Sequence, residues 1–266
     1  MATETITIHS LGQLIDCVTP NEPDPVTGRR RDRGVYRGDS DASQPLLTSL
    51  DRLGGVDPAH TKADLEEHIL RNFVRYARPY VGGEAANDWE HLVAAQHHGV
   101  PTRLLDWTYS PLIACFFATR PNDDGEERDR AVWRLDWQAV HEAFGLPALS
   151  LLITDLDQLF ARAGHFSPWD LMRGRADRAF ACLLEPSSLD QRIVVQSAVF
   201  TLCSDKTRSF DRFLEEHGLQ RALTKFILPR AEVARFRDQL DLVGMDERRL
   251  FPDLDGVAAA IRRYYA

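Results

Sequence analysis

The stretch Gln96–Ser110 holds most of the side chains in this chain that could do chemistry. It contains two adjacent imidazoles (His97, His98), a guanidinium (Arg103), a carboxylate (Asp106), an indole (Trp107) and the hydroxyls of Thr102, Thr108 and Ser110. A guanidinium presents a planar fork of donors suited to phosphate or carboxylate. An imidazole can donate a hydrogen bond or act as a general base, with a carboxylate such as Asp106 to orient it. Trp107 can stack on a base or another aromatic ring. The apolar run Leu112–Ala118 follows at once, so the segment can be anchored in a core while its polar groups face a cleft. The plainer alternative is a buried polar turn in which Arg103 and Asp106 satisfy each other.

A second arginine stands earlier, in Gly34-Val35-Tyr36-Arg37-Gly38. This reads as a short strand ending in a glycine that permits an unusual backbone angle. Arg37 can project from the strand end into a cleft and hold a phosphate, with Tyr36 stacking beside it; pairing with Asp39 or Asp41 is the structural alternative. Gln196 is a third candidate for the same cleft. No P-loop, dinucleotide-binding glycine pattern, H-E-x-x-H or G-x-S-x-G occurs. No metal is expected, because His97 and His98 point in different directions and lack the spacing of paired ligands. The four cysteines, Cys17, Cys115, Cys182 and Cys203, are far apart and form neither a zinc pattern nor a disulfide framework. This inventory suits a nucleotide or another phosphorylated small molecule.

Those groups need elements to hold them. Thr5–Ile8 alternates like a strand, and Ser10 caps a helix running to about Val18. Residues 19–33, rich in Pro, Asp and Arg, predict an exposed loop. Thr61 caps a helix over about Lys62–Arg78, stopped by Pro79 and Gly82-Gly83. A helix over Asn87–His97 delivers the His-His-Gly turn and ends at Gly99 and Pro101. Ser110-Pro111 opens the helix Leu112–Ala118. An acidic loop (Asn122–Asp129), a strand (Ala131–Asp136) and a helix (Trp137–Phe144) come next. Residues 145–190 read as helical or irregular, with helices at Leu156–Ala163 and Asp177–Leu184. With the loop His165–Trp169 they suggest a cap over the site. Arg192–Leu202, dense in β-branched residues, is the best strand in the chain. A helix (Ser209–His217), a strand (Leu223–Leu228) and helices over Ala231–Leu242 and Val257–Tyr265 complete the reading. The expected fold is one α+β domain, a small central sheet flanked by helices.

Composition sets the outer bounds. At 266 residues, 44% hydrophobic and 27% charged, the chain can bury a full core. A net charge of −8 argues against a general nucleic-acid binder, although a local basic groove can hide in the average. The start, Met1-Ala2-Thr3-Glu4-Thr5, has no basic patch leading into an apolar stretch, so no signal peptide is expected. No apolar run is long enough to cross a bilayer, and a cytoplasmic protein of a reducing compartment is expected.

Tyr36-Arg37-Gly38, followed by Gln96-His97-His98-Gly99-Val100-Pro101-Thr102-Arg103-Leu104-Leu105-Asp106-Trp107-Thr108 and Ser110-Pro111, resembles the FRG domain family. That family is named for its Phe/Tyr-Arg-Gly motif. The resemblance runs over about residues 8–205 and leaves 206–266 as a C-terminal α/β extension packed on the same core. One departure stands at its end, Gln196-Ser197-Ala198-Val199-Phe200, where the family pattern reads Gln-Gln-Gly-x-Phe. The family implies little about function, so the next step is an analogy of order. An arginine on an early strand, a Thr/Ser turn into an apolar helix and a polar residue on a late strand are similar to the ADP-ribosyltransferase arrangement. Arg37, Thr108 with Ser110, and Gln196 would be the parallels, with NAD as substrate and a macromolecule as acceptor if transfer occurs. Gln196 is an amide and cannot stabilise an oxocarbenium-like centre as a carboxylate would, so Asp106 or Glu185 would have to substitute. Two other readings stay open: a non-catalytic nucleotide or phosphate-ligand module using Arg37 and Arg103, and a hydrolase or nuclease with His97 or His98 as base. The resemblance also admits a bacterial defence or toxin role.

Overall fold

A computed structural model describes residues 3–54, 60–80, 87–121, 125, 127–153, 155–160, 166–186 and 191–265. Gly82-Gly83, His165, the start of the acidic loop at 122–124 and the expected helix beyond Phe160 lie outside the described residues.

The chain opens with β1 (Glu4–Thr7) and α1 (Leu11–Val18), the latter capped by Ser10, whose hydroxyl accepts from Gln13 N–H at 3.2 Å. β2 (Val35–Asp39) follows the exposed loop, and α2 (Ser49–Arg52), α3 (Lys62–Ala77) and α4 (Asp88–His97) follow β2. Thr48, Thr61 and Asn87 each close a reciprocal capping box at the start of these three helices. Next come β3 (Leu105–Thr108), α5 (Pro111–Ala118), β4 (Arg130–Leu135) and α6 (Trp137–Ala143). The region expected to form a cap holds β5 (Leu151–Leu152), α7 (Asp155–Phe160), α8 (Pro168–Met172) and β6 (Ala181–Glu185). The rest is α9 (Gln191–Val195), β7 (Ala198–Cys203), α10 (Phe210–Glu216), β8 (Leu223–Leu228), α11 (Val233–Leu242), α12 (Glu247–Leu250) and α13 (Leu254–Tyr265).

These strands form one mixed sheet in the order β1-β8-β4-β2-β3-β7-β6-β5. The pairs β1–β8 and β5–β6 are parallel and the others antiparallel. The α+β class with a sheet between helices holds, and the sheet is larger than the small one expected. One face packs Val35, Leu105, Trp107, Trp133, Leu183 and Val199 against residues of α6 and α10. The other face carries two clusters. Tyr36, Val132 and Phe226 meet α1, α5 and α11, while Cys182, Leu184, Phe200 and Leu202 meet α3, α4, α7 and α8. The second cluster buries Phe166 against Trp89, with ring centroids 5.9 Å apart.

Three expectations are corrected here. Arg192–Leu202 is not one strand: α9 ends at a turn over Gln196 and Ser197, and only then does β7 begin. Ser197 takes a left-handed φ of 47°, and its N–H donates to Val194 O at 3.1 Å, which reverses the chain. β-Branched residues favour strands only weakly when a turn intervenes. Asp177–Leu184 is not a helix, since Ala181–Leu184 pairs antiparallel with β7 along a buried run. A continuous apolar run of that length does not by itself distinguish strand from helix. Leu105–Thr108 also belongs to the sheet, so the His-His-Gly stretch is less irregular than its composition suggests.

Candidate functional site

A break in the sheet creates the site. Among the described residues, β2 and β3 pair only through Tyr36 and Thr108, and beyond that point they diverge. Backbone groups left without a ladder partner are costly unless something else bonds them. Arg37 reaches across the gap and its Nη1 donates to Asp106 O at 2.9 Å, with the Asp106 carboxylate 3.8 Å away. A cleft of about 850 Å³ opens beside this contact. Its charged lining is Arg37, Arg52, Arg120 and Arg192 on the basic side and Asp39, Asp41 and Asp106 on the acidic side.

Gly38 makes this geometry possible for a different reason from the one expected. It does not adopt a positive φ. Instead a Cβ there would lie 2.0 Å from Ala114 O and 2.4 Å from Ala118 N, so the missing side chain lets α5 lie directly on β2. Ser110 does not line the cleft. It caps α5, accepting from Ile113 N–H at 3.4 Å, with Pro111 in the favoured first position.

A short relay sets the Asp106 carboxylate. Thr102 Oγ1 donates to Gln96 Oε1 at 2.6 Å, which fixes the amide so that Gln96 Nε2 donates to both Asp106 oxygens at 2.9 Å. Thr102 is thus buried behind the site, and Gln96 faces it. Arg103 does not line the cleft. Its Nε and Nη2 each meet Glu66 Oε2 at 2.7 Å and its N–H donates to Glu66 Oε1 at 2.9 Å, with both side chains 1% exposed. The expected Arg103–Asp106 partnership is replaced by Arg103–Glu66, which pins the turn to α3, and by Gln96–Asp106.

The remaining expected residues divide. Thr108 lines the cleft, and its Oγ1 donates to Gln196 O at 2.7 Å, tying β3 to the turn before β7. Gln196 also lines the cleft, but from that turn and not from a strand, and its Nε2 donates to Leu250 O at 2.9 Å. His97 is half-buried at the rim; His98 caps the end of α4, exposed, and is not among the cleft's lining residues. Trp107 offers no face for stacking: its ring packs on Phe210 and its Nε1 donates to Thr201 Oγ1 at 3.0 Å. Tyr36 is likewise buried, with its hydroxyl donating to Asp32. Tyr36 and Trp107 still contribute to the cleft lining, whereas Glu185, which accepts from Tyr109 at 2.5 Å and from Ser150 at 2.8 Å, does not.

Burial pulls the Arg37 pKa down, and Asp106 and Asp39 counter this; Arg52 adds to the lowering. An arginine stays charged through such a shift. Its Nε is buried without a partner, and so is Asp39 Oδ2. The floor of the cleft therefore holds a cation whose donor capacity is not filled by the protein. Arg52, Arg120 and Arg192 were not anticipated. Arg192 was hidden inside the misread strand, and Arg52 and Arg120 sit at helix ends with no local motif to mark them. Among the described residues no group of three His, Cys, Asp or Glu side chains could hold a metal ion. Among them, too, no helix is long and apolar enough to cross a membrane.

Residues 32–127 match the FRG domain family, a span that contains Arg37, the Gln96–Asp106 relay and α5. No curated protein and no solved structure matches the chain.

Proposed function

We propose that this FRG domain-bearing chain binds a phosphorylated nucleotide-type ligand, with NAD or ADP-ribose as the class, in the cleft where β2 and β3 part. The observation that carries this is Arg37: a nearly buried guanidinium on the cleft floor with an unfilled donor, joined by three further arginines on the walls. Guanidinium groups in a concave, partly desolvated site favour phosphate over water. The test is a thermal-shift screen with NAD, ADP-ribose, AMP and ADP. A ligand bound only by the folded state raises the melting point, by an amount set by RT ln(1 + [L]/Kd). The reading expects a shift that vanishes in Arg37→Ala; no shift with any of the four at saturating concentration sinks it.

A second reading, ADP-ribosyl transfer, is favoured by one specific arrangement. β2, β3 and β7 are neighbours, so Arg37, Thr108 and Gln196 come together, with Thr108 and Gln196 in direct contact. Gln196 supplies an amide at the place where a carboxylate would be wanted, and Asp106 is the carboxylate nearest Arg37. Transfer or NAD hydrolysis would then rest on Asp106. Asp106→Asn should keep NAD binding and abolish nicotinamide release. Release that is absent from the unaltered protein, despite NAD binding, leaves the binding module as the function.

A further inference from the structure

Leu250 and Phe251 stand behind the cleft and support three of its lining residues, Arg120, Arg192 and Gln196. The Arg120 guanidinium carbon lies 5.4 Å from the Phe251 ring centroid and that of Arg192 lies 4.9 Å from it. The two cations are therefore within about 10 Å of each other, although like charges repel. Aromatic rings attract guanidinium groups through their electron-rich faces, and this restricts two long, flexible side chains that would otherwise be mobile. Phe251 is itself fixed, edge-on to Phe117 at 6.2 Å and tilted on Phe116 at 6.5 Å. The residue before it, Leu250, is fully buried, and its carbonyl accepts from Gln196 at 2.9 Å. One dipeptide thus sets three residues of the cleft wall.

We infer that Phe251 is a positioning residue that holds Arg120 and Arg192 as a paired anion site, and that the ligand is a diphosphate. This rests on the phosphate-binding reading above. Arg37 receives one phosphate on the floor. The pair on Phe251, two guanidinium groups no more than about 10 Å apart on the cleft wall, receives a second phosphate. A monophosphate can engage one of these stations and not both.

The experiment is isothermal titration of AMP and ADP into the full chain and into Phe251→Leu and Phe251→Tyr. Leucine fills much of the same space without a π face, and tyrosine keeps the face. Thermal unfolding of each variant confirms that it folds. The expected result is ADP tighter than AMP by about tenfold or more in the unaltered chain, where tenfold is about 1.4 kcal/mol. In Phe251→Leu that preference should shrink to about twofold, and in Phe251→Tyr it should persist. A ratio unchanged in Phe251→Leu, even with both ligands weaker, overturns the inference and makes Phe251 structural. Equal affinity for AMP and ADP in the unaltered chain overturns it as well. No binding of either nucleotide defeats the phosphate-binding reading itself.

Discussion

Arg37 and Arg103 are the same side chain put to opposite uses, and the partner of each decides which. Arg103 meets a carboxylate on α3 and is buried with it away from the cleft, whereas Arg37 meets a backbone carbonyl and lines the cleft. Removing one member of a buried ion pair leaves the other charge uncompensated, so Arg103→Ala should destabilise the fold by about 3–5 kcal/mol in urea denaturation. Replacing both Arg103 and Glu66 with apolar residues of similar volume should recover most of that loss. Arg37→Ala loses its bond to Asp106 O and should lower the urea midpoint by less than Arg103→Ala does, acting chiefly on ligand binding. The motif pointed to Arg37, Asp106, Thr108 and Gln196, which the fold brings to one cleft. It could not tell Arg103 from them, because Glu66 sits on a separate helix and no local spacing points to it. Trp107 and Tyr36 are buried for a related reason: alternation along a strand sends neighbouring side chains to opposite faces, and which face is buried depends on the sheet.

At the level of elements, helices were read more securely than strands. Ser10, Thr61, Asn87 and Ser110 act through hydrogen bonds three residues away, so their caps are written locally. β6 and the α9–β7 turn depend on partners elsewhere in the chain, and propensity misread both. The contact of α5 with β2 is the tightest of these packings, and Gly38→Ala should cost on the order of 1–3 kcal/mol by forcing them apart. Its check is a paired measurement of Tm and of nucleotide binding, both of which should fall. Asp32 ties the end of the first loop to β4 by bonds from Arg134 and Tyr36. Burial alone would raise its pKa, but those bonds outweigh burial and hold it below the usual 3.8. A carboxylate with a depressed folded pKa contributes fully above its unfolded value and loses that contribution as pH falls through the folded one. Urea midpoints should therefore drop as pH falls from about 5 through the depressed folded pKa, and Asp32→Asn should flatten that drop. An equally steep acid limb in the variant would assign it to other carboxylates.

Across the whole molecule, the family match and the structural unit do not coincide. Residues 32–127 contain β2 and β3, but the strands on either side of that pair, β4 and β7, lie outside the match. A fragment of 32–127 would expose both flanks of a pair joined at one position, with no sheet to bury its apolar faces. Circular dichroism and amide hydrogen exchange should find it unfolded, while the full chain shows protected β2 and β3 amides. A folded, nucleotide-binding fragment would show that the matched span is autonomous. The α+β class was readable from the alternation of strand-like and helix-like segments. The strand order was not, since it depends on pairings between residues as distant as Glu4 and Thr224.

That pairing bears on how the protein is made. β8 lies between β1 and β4, so the first strand to leave the ribosome has no neighbour until residues 223–228 have followed it. Until then β4 presents an open edge and the cluster around Val132 lacks Phe226. Synthesis at roughly 5–20 residues per second keeps that edge exposed for several seconds or more, long enough for a nascent chain to pair with another. A stalled or truncated translation product ending before β8 is consequently a substrate for chaperones and not a smaller working protein.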